Sequence, residues 1–159
     1  MNKIILVGKA AAGKDYMRKI LEERGFKYGV SYTTRPKREG EIDGEDYYFL
    51  TDEEFADMDA DNQWYEYVQF NGWMYGTTNS QFLDKCNLFI MTPAGIDFID
   101  PVERKNCTII YLDIHLEVRR RRLEERGDVN DKIERRIEAD EKDFSNFTNF
   151  DIMVNTPNF

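Results

Sequence analysis

The chain is short of positive charge: 22 lysines and arginines stand against 31 aspartates and glutamates, leaving a formal charge of -9. Nucleic-acid-binding domains show the opposite balance, so nucleic acid is not the expected partner. Cysteine is almost missing as well. Cys86 and Cys107 have neither metal-ligand spacing nor a secreted context, which reads as two reduced thiols in a cytoplasmic protein. The lone histidine, His115 in Asp113-Ile114-His115-Leu116, has no serine triad or metal cluster around it and reads as structural. No apolar run reaches bilayer-spanning length, and Met1-Asn2-Lys3 runs straight into the first strand with no targeting signal, so no membrane partner is expected. Internal repeats, linkers and low-complexity segments are also missing, and 159 residues fit one domain.

What is present starts with the apolar run Ile4-Ile5-Leu6-Val7, followed by Gly8-Lys9-Ala10-Ala11-Ala12-Gly13-Lys14-Asp15. A buried strand followed by glycines at this spacing lets backbone N-H groups converge on a polyphosphate, with a helix N-terminus behind them. Lys14 adds a point charge. The pattern Gly-x4-Gly-Lys is complete, but aspartate stands where a magnesium-binding hydroxyl residue normally follows the lysine. The bland alternative is two turn glycines and a solvated lysine. Against it, Tyr16, Met17, Ile20 and Leu21 have near-helical spacing and Gly25 can stop the helix, so the loop opens a helix as a phosphate cradle requires.

Phe26 to Val30 reads as a short strand, and Ser31 to Gly40 then turns basic and hydroxyl-rich. Arg35, Lys37 and Arg38 suit a phosphomonoester, or else form a solvated turn around Pro36. An Asp-Gly turn leads into an aromatic strand ending at Leu50, and Thr51-Asp52-Glu53-Glu54 predicts a reciprocally capped helix to about Met58. Trp64 to Phe70, Asn71-Gly72 and Trp73 to Thr78 predict a hairpin. Strict alternation would put Glu66 on the face of Trp64, Val68 and Phe70, where a carboxylate needs a partner. An ion pair would serve, and so would a base with adjacent N-H donors such as guanine.

Leu88 to Met91 and Thr108 to Leu112 are continuous apolar runs typical of parallel strands covered on both faces, and Pro93 to Pro101 includes a short helix. With the first strand and a last one at Ile152 to Val154, the alternation predicts an α/β fold around a parallel sheet. Arg119, Arg122 and Arg126 share one helical face, and a second helical segment carries Arg135 and Arg136. Glu124 and Glu125 permit a surface ion-pair reading, and Arg136 with Asp140 is an i,i+4 pair. A phosphate cradle in the same chain favours the other reading, in which the arginines face phosphates.

In order and over nearly the whole chain, these residues resemble the guanylate kinases. The matching pieces are the Gly8 to Lys14 loop; Ser31, Thr33, Thr34, Arg35, Arg38, Gly40, Glu41, Gly44, Asp46, Tyr47 and Phe49; Glu66 with Tyr75-Gly76-Thr77; Arg122-Leu123 with Arg126-Gly127; and Asn155. The resemblance implies a three-layer P-loop NTPase fold with a small monophosphate-binding subdomain and a helical lid. Its parts would be a core at 1–30, 81–116 and 138–159, a GMP-binding subdomain at about 31–80, and a lid at about 117–137. It also implies transfer of phosphate from ATP to GMP and dGMP with Mg2+. Gly8, Lys9, Ala10, Ala11, Ala12, Gly13, Lys14 and Asp15 would hold ATP, Asn155 would approach the adenine, and Asp15 is the candidate metal ligand. Arg35, Arg38, Tyr47 and Tyr75 would hold the GMP phosphate, while Ser31, Glu66 and Thr77 would read guanine. Arg122, Arg126 and Arg136 would close over the phosphates, completing a catalytic set with Lys14 and Arg35. The implied partners are small nucleotides, for a monomer or homodimer.

The chain departs from that pattern at four places. Asp15 replaces the hydroxyl, Ile90 and Thr92 stand where the family has acids, the lid is about one residue short between Gly127 and Ile133, and the terminal helix is missing after Phe159. Three alternatives stay open at this stage: a ribose 1,5-bisphosphate kinase, a broader deoxynucleoside monophosphate kinase, and a catalytically silent binding domain of the same fold.

Overall fold

The computed structural model of the protein describes residues 2–159. Among them, the strands are β1 (Lys3–Gly8), β2 (Tyr32–Thr33), β3 (Tyr48–Phe49), β4 (Trp64–Phe70), β5 (Trp73–Thr78), β6 (Leu88–Ile90), β7 (Cys107–Leu112) and β8 (Ile152–Val154). The helices are α1 (Lys14–Glu23), α2 (Asp52–Ala60), α3 (Pro93–Asp97), α4 (Pro101–Arg104), α5 (Leu116–Glu125) and α6 (Asn130–Phe144).

The core sheet has the order β6-β1-β7-β8, and all its pairings are parallel. Period-two geometry sends Ile5, Val7, Phe89, Ile109 and Tyr111 to one face, where they pack with Phe82 and Ile96. Leu112 and Ile110 face the other way, against Met17 of α1, Val118 of α5 and Phe159. Covering both faces explains the unbroken apolar runs, since each fully buried Ile or Leu contributes roughly 2 kcal/mol. Gly8 ends β1 under close constraint: a Cβ there would lie 2.9 Å from the Leu112 carbonyl oxygen.

The second sheet has the order β3-β2-β5-β4 and is antiparallel except at the β2-β3 pair. Its hairpin turns at Asn71 and Gly72, both with positive φ (53° and 84°), as a tight primed turn needs. The expected alternation fails at one point. A register shift between Trp64 and Glu66 makes a bulge, so Trp64 packs with Phe55 and Tyr67 while Glu66 keeps company with Val68 and Phe70.

Thr51 caps α2 with the full reciprocal pair to Glu54. The expected strand at Phe26 to Val30 is reduced to a single bridge from Tyr28 to Leu88, and an unforeseen π-helical turn at Ser80–Lys85 buries Phe82. Pro93 to Pro101 resolves into the two short helices α3 and α4, capped by Thr92 and Asp100. Leu123, Ile133 and Ile137 bind α5 to α6 and pack against Ala11 of the loop after β1. Helix α6 runs unbroken through residues 137 and 138, where the lid was expected to give way to the core.

Candidate active site

Between β1 and α1 the chain folds over itself in left-handed steps, with φ 61° at Ala11 and 100° at Gly13. These turns aim the loop's interior backbone groups at one concave space, and Lys14 reaches back so that its Nζ donates to the Gly8 carbonyl. Removal from water lowers the Lys14 ammonium's pKa, and the Asp140 and Asp15 carboxylates push the other way. Such a lysine is underpaired until an anion arrives. Asp15 is exposed on the first turn of α1, with one oxygen 3.4 Å from Arg18 Nε.

A cavity of about 390 Å3 opens from this loop toward the second sheet. Gly8, Ala10, Ala11, Lys14 and Asp15 line one end, and Ser31, Arg35, Arg38, Tyr47, Glu66 and Tyr75 line the other. Arg35 is 6% exposed and grips Glu41 with both guanidinium nitrogens at 2.8 Å, which holds the Glu41 carboxyl below its usual range. Glu41 also accepts the Arg38 backbone N-H at 2.8 Å, so one carboxylate shapes the whole basic turn. Tyr47 stands over Arg35 at 5.2 Å and meets Tyr75 at 6.0 Å between centroids.

Glu66 is buried at the base of this end, opposite Thr77 in the β4-β5 register. Burial pushes its carboxyl up to about 7, and a hydrogen bond from the Thr77 side chain offsets only part of that. Thr77 itself is buried behind Glu66 and does not line the cavity. Thr92, at a position where an acid was expected from the resemblance, lines the cavity while its hydroxyl accepts the Gly95 N-H.

The arginines of α5 and α6, and Arg126 just after α5, divide. Arg126 and Arg136 line the cavity and share the Asp128 carboxylate, at 3.1 and 3.6 Å. Burial, followed by the neighbouring Arg126 and Arg38, lowers the Arg136 pKa, while Asp128 and Asp140 act in the opposite sense. Arg122 instead donates to the carbonyls of Ala11 and Pro157, 2.9 and 3.2 Å away, on a second hollow of about 790 Å3 with Gly13, Tyr16 and Phe159. Arg119 leaves the shared face altogether: it is buried and donates to the Ile114 carbonyl. The i,i+4 pair expected between Arg136 and Asp140 does not form, because Asp140 accepts the Ala10 N-H at 2.8 Å.

Lys9 reaches out of the cradle to Glu141 at 3.0 Å, and Ala12 is buried beneath it. Asn155 lies outside both linings, and Pro157, Asn158 and Phe159 border the second hollow in its place. His115 caps α5 by accepting the Glu117 N-H, the structural part expected of it. Sequence reasoning named Glu41 only as a motif residue and Asp140 only as a local partner of Arg136, and assigned no part to Asp128. For Glu41 the signal was present, as an acid six residues beyond Arg35 in a basic turn. No helix is long and apolar enough to cross a membrane, and no group of three or more His, Cys, Asp or Glu forms a metal centre, among the described residues.

A parallel sheet whose first strand feeds a glycine-lysine loop and a helix, with a second, largely antiparallel sheet and the arginine-bearing helices α5 and α6 beside that loop, defines a protein of the P-loop NTPase fold. Within that class the chain belongs to the guanylate kinase family, whose family model matches residues 1–159. It is 46% identical over 77 residues to the guanylate kinase of Lactobacillus delbrueckii subsp. bulgaricus, covering 46% of this chain and 38% of that protein. Similarity to the guanylate kinase of Lactococcus lactis subsp. lactis is 47% over 76 residues, covering 46% of this chain and 37% of that one. The matched stretches therefore span well under half the length of these relatives. A crystal structure of guanylate kinase from Anaplasma phagocytophilum superposes with a TM-score of 0.75 at 22% identity, covering 98% of this chain and 76% of that one, which shows the fold.

Proposed function

We propose that this chain transfers the terminal phosphoryl group of ATP to GMP, and to dGMP, by direct in-line displacement. The observation that carries the proposal is a single cavity lined at one end by Lys14 and at the other by Glu66, with Arg35, Arg38, Tyr47 and Tyr75 beside it and Arg126 and Arg136 between. ATP phosphates on the loop and a monophosphate in the basic turn would meet inside it.

An acceptor phosphate is largely ionised at neutral pH, so the chain needs positioning and charge stabilisation more than proton transfer. Arg35, already fixed by Glu41, and the hydroxyls of Tyr47 and Tyr75 orient the acceptor phosphate. Glu66 as a carboxylate accepts two adjacent N-H donors, which guanine offers and adenine does not, and Ser31 and Thr77 support that reading. Lys14, Arg126 and Arg136 stabilise charge on the transferred group, and a closed lid excludes water. Arg122 serves the donor side from the second hollow.

Nucleotide-bound Mg2+ keeps several waters and takes one or two carboxylates. Asp15, exposed and lining both the cavity and the hollow, suits that as a single protein ligand. When bound, the ion would neutralise charge on the donor phosphates. Two free thiols, Cys86 and Cys107, accord with a cytoplasmic setting.

A coupled ADP-release assay across GMP, dGMP, AMP, CMP, UMP, dTMP and ribose 1,5-bisphosphate tests the proposal. GMP and dGMP should lead by at least about tenfold in kcat/KM, the worth of one satisfied polar contact. Preference for any other acceptor would reject it.

A further inference from the structure

Asp140 is 7% exposed on α6, yet its carboxylate belongs to the reaction cavity. Oδ2 accepts the Ala10 N-H of the cradle at 2.8 Å and lies 4.0 Å from Arg119 Nη1. That guanidinium nitrogen is buried with no hydrogen-bond partner, so the Asp140 charge is its nearest compensation. Asp140 is also the leading carboxylate favouring the charged form of Lys14, and it acts in the same sense on Arg136. A loop N-H, the loop lysine and lid arginines are the partner set that a phosphoryl group would take in such a cradle.

We propose that Asp140 is an internal stand-in for a donor phosphate: its carboxylate holds α6 on the empty loop and must yield that place to ATP. This rests on reading the loop as the donor site. Two anions cannot share one N-H and the same few cations in a poorly solvated space without mutual repulsion, so donor binding is opposed by whatever Asp140 gains in the empty state. The same contact keeps the arginines of α5 and α6 gathered at the site before substrate arrives. When a phosphate takes the Ala10 N-H, Lys14 exchanges the Gly8 carbonyl and Arg136 the Asp128 carboxylate for the phosphate, and α6 is released from the loop. Lid position thereby becomes linked to donor occupancy.

The neighbouring contacts argue for displacement rather than joint binding. Asp140 has Arg119 close by and backbone N-H already bound, so it is not free to ligate a metal, and Asp15 on α1 is the carboxylate left for that purpose. Glu141, next on α6, pairs with the outward-facing Lys9 at 3.0 Å, a contact that donor phosphates do not need to break.

Calorimetric titration of Mg·ATP without acceptor, into wild type, Asp140→Asn, Asp140→Ser, Asp140→Glu and Glu138→Gln, tests this. Asp140→Asn and Asp140→Ser should bind roughly tenfold more tightly, the order expected for removing one like charge from a partly screened site. Asp140→Glu keeps the charge and should bind like wild type. Glu138→Gln removes an exposed α6 charge and should change affinity less than about twofold. Melting curves add a readout that a purely structural role would not move: Asp140→Asn should melt below wild type when empty yet gain more from ATP. Equal or weaker ATP binding by both neutral variants would overturn the stand-in while leaving the donor reading intact. Wild type and variants alike failing to bind ATP would overturn both.

Discussion

Glu66 shows what a single buried carboxylate costs, a cost that the proposed recognition of guanine would offset. Its ordinary pKa is 4.5, and burial raises it to about 7, because the cavity floor offers the charged form only a hydrogen bond from Thr77. The folded state therefore binds a proton that the unfolded chain has released, and the sign follows. The contribution to stability is complete below about pH 4.5 and is lost as pH rises through 7, so at pH 8 the charged carboxylate costs on the order of 3 kcal/mol. Glu66→Gln should raise the urea midpoint of the ligand-free protein at pH 8 and change it little at pH 4.5. Guanine would still require the carboxylate, so wild-type KM for GMP should rise from pH 8 to pH 6, while the variant shows a flat profile and poor discrimination of GMP from AMP. A stability difference independent of pH would contradict the account. Lys14 carries the opposite imbalance, a cation lowered by burial and waiting for an anion. Lys14→Ala should retain the fold by circular dichroism and lose about a hundredfold or more in turnover; near-normal ADP release would reject its part.

At the scale of elements, what could be read from sequence was what local chemistry determines. The β4-β5 hairpin followed from Asn71-Gly72, and α2 from the capping pair Thr51 and Glu54, because both signals lie within a few residues of the structure they specify. The bulge beside Glu66 depends on how Trp64 packs across β5, where its ring would lie 2.8 Å from a Cβ on Gly76, and period-two alternation contains no trace of that. Residues 26–30 are apolar enough for a strand, but their pairing with β6 stops at one bridge, in which Lys27 and Gly29 hydrogen-bond the Leu88 backbone on either side of Tyr28. The same limit applies to the site. The gathering of Ser31, Arg35, Arg38 and Tyr47 at one end of the cavity was legible because Ser31 to Phe49 is one dense motif, whereas the Asp140 contact spans 130 residues and competes with a plausible local pair to Arg136. The cap gives a test confined to its element. Thr51→Ala should cost about 1 kcal/mol in urea unfolding, and since α2 lines neither the cavity nor the second hollow, turnover should stay at the wild-type value. A large loss of activity would mean that α2 communicates with the site.

On the whole molecule the charge is distributed in a way that bears on how substrates arrive. The chain carries -9, and the cavity lining has six basic and six acidic side chains, so the site is nearly neutral before ligands enter rather than a basic funnel. Three of its positive groups are held by carboxylates in place: Arg35 by Glu41, and Arg126 and Arg136 by Asp128. Long-range attraction would therefore contribute little to the proposed reaction, whose anionic nucleotides would approach a surface of their own sign. Specific grip begins only at contact, where partners are exchanged in a space that salt screens poorly. Most nucleotide sites that steer their ligands lose association rate steeply as ionic strength rises. Here kcat/KM for GMP, measured at fixed free Mg2+, should stay level or rise modestly between about 20 and 150 mM NaCl, because screening weakens net repulsion before it reaches the buried contacts. A severalfold fall over that range would show that an attractive field, unaccounted for by these charges, draws the acceptor in.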